Sequence, residues 1–159
     1  RGMLRATVDG RITDYFEWLP AGRAEAVSGA MQSSARLVRE VRFGRDREWL
    51  YLRLDPFEPP ASESLAGGSL ILRVPGDAAR TVRAPIPAAG AESGGGIRVA
   101  VDRVVEAAVP LSLLAGDGEP VRFQVEVNRG PGAAQRVPAE GALTVPAPGE
   151  DPFRFDWSV

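Results

Sequence analysis

The chain has 159 residues, 44% of them hydrophobic, which is enough apolar material for one buried core. It contains neither cysteine nor histidine, so thiol and imidazole nucleophiles, Ser-His-Asp triads and His/Cys metal sites are excluded together. The formal charge is -2 and every basic residue is arginine, which leaves no net basic field for nucleic acid, and no apolar run approaches the roughly 18 residues a membrane helix needs.

With 18 glycines and 14 prolines, the composition suits many short strands joined by turns, so all-β is the expected class. Arg1-Gly2-Met3-Leu4-Arg5 has no apolar stretch long enough for a signal peptide. This opening is what an excised domain would show, and the compartment of the parent protein stays open, with the cytoplasm favoured.

Leu4 to Val8 is a short extended candidate closed by the turn dipeptide Asp9-Gly10, and Ile12 to Leu19 follows as a second. From Pro20 to Ser34 no period is sustained, which predicts a long loop with one helical turn. Leu37 to Phe43 alternates, with Leu37, Arg39, Val41 and Phe43 on one face and Val38, Glu40 and Arg42 on the other. A turn at Gly44 to Arg47 leads into Glu48 to Asp55, the clearest strand, where Leu50, Leu52 and Leu54 face the core and Trp49, Tyr51 and Arg53 face away.

Beyond the break at Pro56 to Pro60, Ser69 to Val74 reads as a strand with Thr81 to Ile86 as a weaker partner. Gly90 to Gly96 reads as a flexible loop, and Ile97 to Val101 and Val104 to Val109 as strands. Pro110 to Leu114 is one helical turn closed by Gly116. Val121, Phe123, Val125 and Val127 alternate with Arg122, Gln124, Glu126 and Asn128, as a half-buried strand requires. Leu143 to Val145 and the Phe153, Phe155, Trp157 side of the C-terminal segment complete roughly eight to ten strands, which predicts a single-domain antiparallel β-sandwich of two sheets, jelly-roll-like, over residues 1–159.

Sugar rings combine apolar C–H faces with hydroxyls, so sites for them offer flat aromatic platforms beside planar hydrogen-bonding groups. Trp49 and Tyr51 with the Arg53 fork form one such stripe, and Tyr15-Phe16-Glu17-Trp18 is the densest aromatic cluster. Trp18, Trp49 and Tyr51 are therefore the candidate platforms, with Arg53, Glu17 and Tyr15 as polar neighbours; Trp157 reads as core. The carboxylate pairs Asp14 with Glu17 and Glu150 with Asp151 are what chance supplies among 21 acids, so catalysis by this chain is not expected. Gly94-Gly95-Gly96 lacks the Lys-Ser/Thr of a phosphate loop. No cofactor is expected; oxygen ligands for a structural calcium exist at Asp9, Asp14 and Asp55.

Several stretches resemble the family 9 carbohydrate-binding modules and their DOMON-like relatives. They are Val8-Asp9-Gly10, the hairpin from Val41-Arg42-Phe43-Gly44 through Leu50-Tyr51-Leu52-Arg53-Leu54-Asp55, and Val105-Glu106-Ala107-Ala108-Val109-Pro110-Leu111-Ser112-Leu113-Leu114 leading to Phe123-Gln124-Val125-Glu126-Val127-Asn128. More narrowly, Asp9 to Gly22 with its Tyr15-Phe16-Glu17-Trp18 signature, followed by Ser28-Gly29-Ala30-Met31, is similar to the C-terminal region of bacterial family 57 glycoside hydrolases, enzymes of α-glucans. The resemblance implies a non-catalytic accessory domain that binds α-glucan or an oligosaccharide and accompanies a catalytic domain in its parent chain. The alternative is a structural domain that docks on that catalytic domain without touching sugar, Tyr15 to Trp18 serving as interface anchor.

Overall fold

The computed structural model describes residues 22–25, 36–116, 118–130 and 133–146. The strands are β1 (Gly22–Glu25), β2 (Val38–Arg45), β3 (Trp49–Pro56), β4 (Ser69–Val74), β5 (Asp77–Pro85), β6 (Gly90–Gly94), β7 (Ile97–Val101), β8 (Val105–Pro110), β9 (Val121–Asn128), β10 (Ala134–Val137) and β11 (Leu143–Val145). Helix α1 (Ala61–Ser64) and a 3₁₀ turn at Leu111–Leu113 are the short helical pieces.

The strands form two antiparallel sheets. One is six-stranded in the order β1-β2-β3-β8-β7-β6; the other runs β10-β9-β4-β5, with β11 also pairing β9. The expected all-β sandwich is the observed architecture. The chain makes the β2–β3 hairpin in the first sheet, the β4–β5 hairpin in the second, returns for β6, β7 and β8, and places β8 beside β3 and β9 beside β4.

Alternation decides what the sheets bury. Leu50, Leu52 and Leu54 of β3, Val105, Ala107 and Val109 of β8, and Ile97, Val99 and Val101 of β7 meet Leu70 and Leu72 of β4 and the four apolar residues of β9 in one core. At its centre Phe123 is fully buried and meets Phe43 edge-on, centroids 5.7 Å apart and planes at 86°. Ala61 of helix α1 and Leu65, which ends it, plug the core, and the first free N–H groups of the helix are taken by the carbonyls of Arg103 and Asp102.

Three local readings are corrected. Residues 22–25 within the expected long loop form β1, an edge strand on β2. The expected flexible loop at Gly90 to Gly96 is instead β6 and its turn into β7; Gly95 and Gly96 take φ of +62° and +84°, which glycine alone adopts readily, and close a tight hairpin. A bulge between Val38 and Glu40 breaks the alternation of β2, so Val38 joins Val41 and Phe43 in the core while Arg39 is exposed. Ala134–Val137, which carries little periodicity, forms β10. The segments before residue 22, Phe153, Phe155 and Trp157 lie outside the described residues.

Candidate functional site

The outward face of β3 carries Trp49, Tyr51, Arg53 and Asp55. Across β8 these face Pro110, Ala108 and Glu106, and across β2 Gly44, Arg42 and Glu40. The small neighbours shape the site: Trp49 and Tyr51, both half-buried, pack on Ala100 and Ala108, which leave room for rings to lie against the sheet. Asp46, in the β2–β3 turn, fixes both. Its Oδ1 accepts the backbone N–H of Glu48 at 2.9 Å and of Trp49 at 2.8 Å, and its Oδ2 accepts the Tyr51 hydroxyl at 2.8 Å. This is the aspartate-to-backbone turn that such residues favour.

Arg53 stands differently. Its Nε donates to Asp55 Oδ1 at 2.8 Å, and both side chains are 7% exposed, so the two form a buried ion pair beside fully buried Glu106. The Arg53–Asp55 pair holds charge inside the protein, where pairing and hydrogen bonds must offset the loss of water. Asp55, one of the three aspartates considered for calcium, is thus engaged by a cation; Asp9 and Asp14 lie outside the described residues, as do Tyr15, Glu17 and Trp18. Among the described residues no group of three or more His, Cys, Asp or Glu side chains converges on a metal position.

Trp49 has a second neighbourhood. At the end of the sandwich an open cleft of about 480 Å³ lies between the β2–β3 turn, the 3₁₀ turn and the segment leading into β9. Trp49, Arg45, Arg47, Glu48, Ser112 and Glu119 supply its ring and polar walls, and Pro110, Leu111 and Val121 its apolar ones. That volume lies within the range of small-molecule sites. Glu48 and Glu119 are exposed to water, and the Glu119 Oε1 accepts the Gly116 N–H at 2.9 Å.

Arg45 is the unusual member. It follows Val41 and Phe43 on the inward side of β2 and is 8% exposed, and its partners are backbone carbonyls: Nε to Asp46 at 2.9 Å, Nη1 to Pro146 at 2.9 Å and Nη2 to Arg47 at 3.4 Å. Loss of water pulls its pKa below the ordinary arginine value, and nearby Asp46 opposes that shift. The guanidinium remains charged at neutral pH.

The structure therefore brings Trp49 and Tyr51 together on one strand, gives Trp49 to the cleft, and keeps Arg53 out of the cleft lining. Asp46, Arg45, Ser112 and Glu119 were not singled out from the sequence. For Arg45 the signal is present: alternation from Val41 through Phe43 puts an arginine on the core face at the strand's end. A second, smaller cleft of about 260 Å³, with Arg83, Pro85, Glu92, Ser93 and Ile97 on its walls, has no aromatic lining. In comparison with known proteins, the chain matches no family model, no curated protein and no solved structure.

Proposed function

We propose that this chain is a non-catalytic carbohydrate-binding accessory domain of a glycoside hydrolase, with the sugar seated in the end cleft against Trp49. The observation that carries the reading is the half-buried Trp49 ring on the wall of an open cleft, held by Asp46 and flanked by guanidinium, carboxylate and hydroxyl groups. Such a ring accepts the apolar face of a pyranose, while the polar walls meet its hydroxyls. α-Glucan is the class implied by the resemblance of the strand and Tyr15 to Trp18 motifs, and Trp18, Glu17, Tyr15 and Tyr51 are its further candidate contacts.

The same walls favour binding over cleavage. A glycoside hydrolase needs one carboxyl whose acidity is weakened by burial, and the two carboxylates lining this cleft are both exposed. A docking role calls for a broad apolar surface, whereas the large hydrophobics exposed among the described residues are Phe57 and Leu113, and Arg36 lies over the Phe57 ring at 5.7 Å.

The test is a titration of intrinsic tryptophan fluorescence with maltooligosaccharides, cellobiose and xylobiose, repeated on Trp49→Ala and Trp18→Ala. A saturable response to the maltooligosaccharides in the millimolar to micromolar range, lost in Trp49→Ala, is expected. A flat response from folded protein to all three sugars at tens of millimolar would move the assignment to a docking domain.

A further inference from the structure

Resting on the reading of the end cleft as a sugar site, and narrowing its ligand beyond neutral α-glucan, we infer that the cleft prefers a sugar unit that carries an anionic substituent, a carboxylate or a phosphate, seated against the Arg45 guanidinium.

The argument starts from the cost of burying a cation. Arginine is almost never fully buried without a counter-charge, because a guanidinium withdrawn from water loses more than neutral carbonyls return. Elsewhere on the six-stranded sheet this rule is kept: Arg53 is paired with Asp55, and Arg42 with Glu40 at 3.0 Å. Arg45 departs from it. Among the described residues no carboxylate pairs with it, and three neutral backbone oxygens take one N–H each from Nε, Nη1 and Nη2. Asp46 is close enough to act through space, yet its carboxylate is already held by two backbone amides and the Tyr51 hydroxyl. A guanidinium has five N–H donors, so among the described residues one on Nη1 and one on Nη2 are left without an acceptor.

Arg45 also lines the cleft that holds Trp49, and Arg47 lines it too. An anion there would receive charge-assisted hydrogen bonds from a guanidinium largely withdrawn from water, which strengthens them. The opposing carboxylates limit where it can sit. Glu119 is turned to the Gly116 N–H and Glu48 is exposed to water, so the favourable position is by Arg45 and Arg47 with the sugar ring reaching Trp49.

The experiment compares glucose, glucuronate, glucose 6-phosphate and inorganic phosphate on the intact chain, by calorimetry and tryptophan fluorescence, at low and high salt. At least one charged sugar is expected to bind about tenfold more tightly than glucose, with an advantage that shrinks as salt rises. Glucuronate ahead of glucose 6-phosphate identifies a carboxylate, and the reverse order a phosphate ester. Arg45→Gln should erase the advantage. Because that variant also loses the tie to Pro146, the salt dependence and sugar comparison on the wild-type chain decide the matter even if it does not fold. Equal binding of charged and neutral sugars would overturn the inference and leave the sugar reading intact. Inorganic phosphate binding as tightly as glucose 6-phosphate, with no fluorescence response to any sugar, would overturn both.

Discussion

Gln135 on β10 and Val38 on β2 face each other across the two sheets and bond as if they were neighbours in one. The Gln135 Oε1 accepts the N–H of Val38 at 2.8 Å and of Leu37 at 2.6 Å, while its Nε2 donates to the Val38 carbonyl at 3.0 Å. Among the described residues β1 pairs β2 from Glu40 to Phe43, and beyond that register, at Val38, the Gln135 amide supplies the donor and acceptor of a neighbouring strand. Both residues are buried, at 4% and 2% exposure.

Gln135→Ala should therefore destabilise the fold well beyond an ordinary surface change. It leaves two backbone N–H groups and one carbonyl without their partner, and unsatisfied buried groups cost about 1–3 kcal/mol each before water enters. The expected loss is about 2–4 kcal/mol by urea unfolding, with Gln135→Met, which restores volume but not hydrogen bonds, equally impaired. Stability within about 0.5 kcal/mol of wild type would show that the two sheets do not depend on this clasp.

Asp46 separates positioning of Trp49 from the surface chemistry around it. Asp46→Ala removes all three acceptor contacts and should cost about 1–3 kcal/mol while weakening sugar binding, because the Trp49 amide loses its anchor. Tyr51→Phe takes away the hydroxyl that meets Asp46 and leaves the two backbone contacts of Asp46 in place, so a loss of about 1 kcal/mol with sugar affinity retained is expected. Thermal unfolding read beside the fluorescence titration distinguishes them. Equal effects of the two variants on affinity would make Tyr51 a contact in its own right.

Phe43 and Phe123 hold the sheets together at the centre of the core. Phe123→Ala should cost about 3–5 kcal/mol, the range for emptying a buried aromatic position. The edge-on contact is tested by a double-mutant cycle with leucine at both positions, expected to give a coupling of about 0.5–1.5 kcal/mol. A coupling near zero would assign the whole effect to burial.

The strands with strong alternation were legible because one face had to be apolar. Val121 to Asn128 and Leu50 to Leu54 fix their own orientation, and Trp49 and Tyr51 fall on the outward face for the same reason. β6 was hidden because Gly90-Ala91-Glu92-Ser93-Gly94 is exposed along its whole length; its pairing with β7 rests on backbone hydrogen bonds that leave no side-chain pattern. β10 was hidden by its brevity, and Gln135 is a polar residue at a core-facing position. The pairing of Arg53 with Asp55, rather than with solvent or ligand, is a cross-neighbour effect on one strand face, compatible with the residues two apart but not required by them. The cleft is assembled from three separate turns, so only Trp49 among its walls was visible as a candidate.

Two glycines test the backbone account from opposite directions. A Cβ on Gly68, which precedes β4, would stand 2.5 Å from the Asn128 carbonyl oxygen and 3.2 Å from that of Leu65, both backbone atoms that cannot swing aside. The carbonyl of Gly68 also receives the Ile86 N–H at 2.8 Å, so any shift of this residue strains the start of β4 and the end of β5 together. Gly68→Ala is expected to cost about 1–3 kcal/mol as an overpacked site. Gly94, at the end of β6, has open space where a Cβ would point and no positive φ. Gly94→Ala should be neutral or stabilising by up to about 1 kcal/mol, because alanine lowers the entropy of the unfolded chain without a clash. Urea midpoints of the two variants check both expectations. A neutral Gly68→Ala would mean that β4 and β9 separate more readily than their register implies, and a destabilised Gly94→Ala would place a neighbour against β6 in solution.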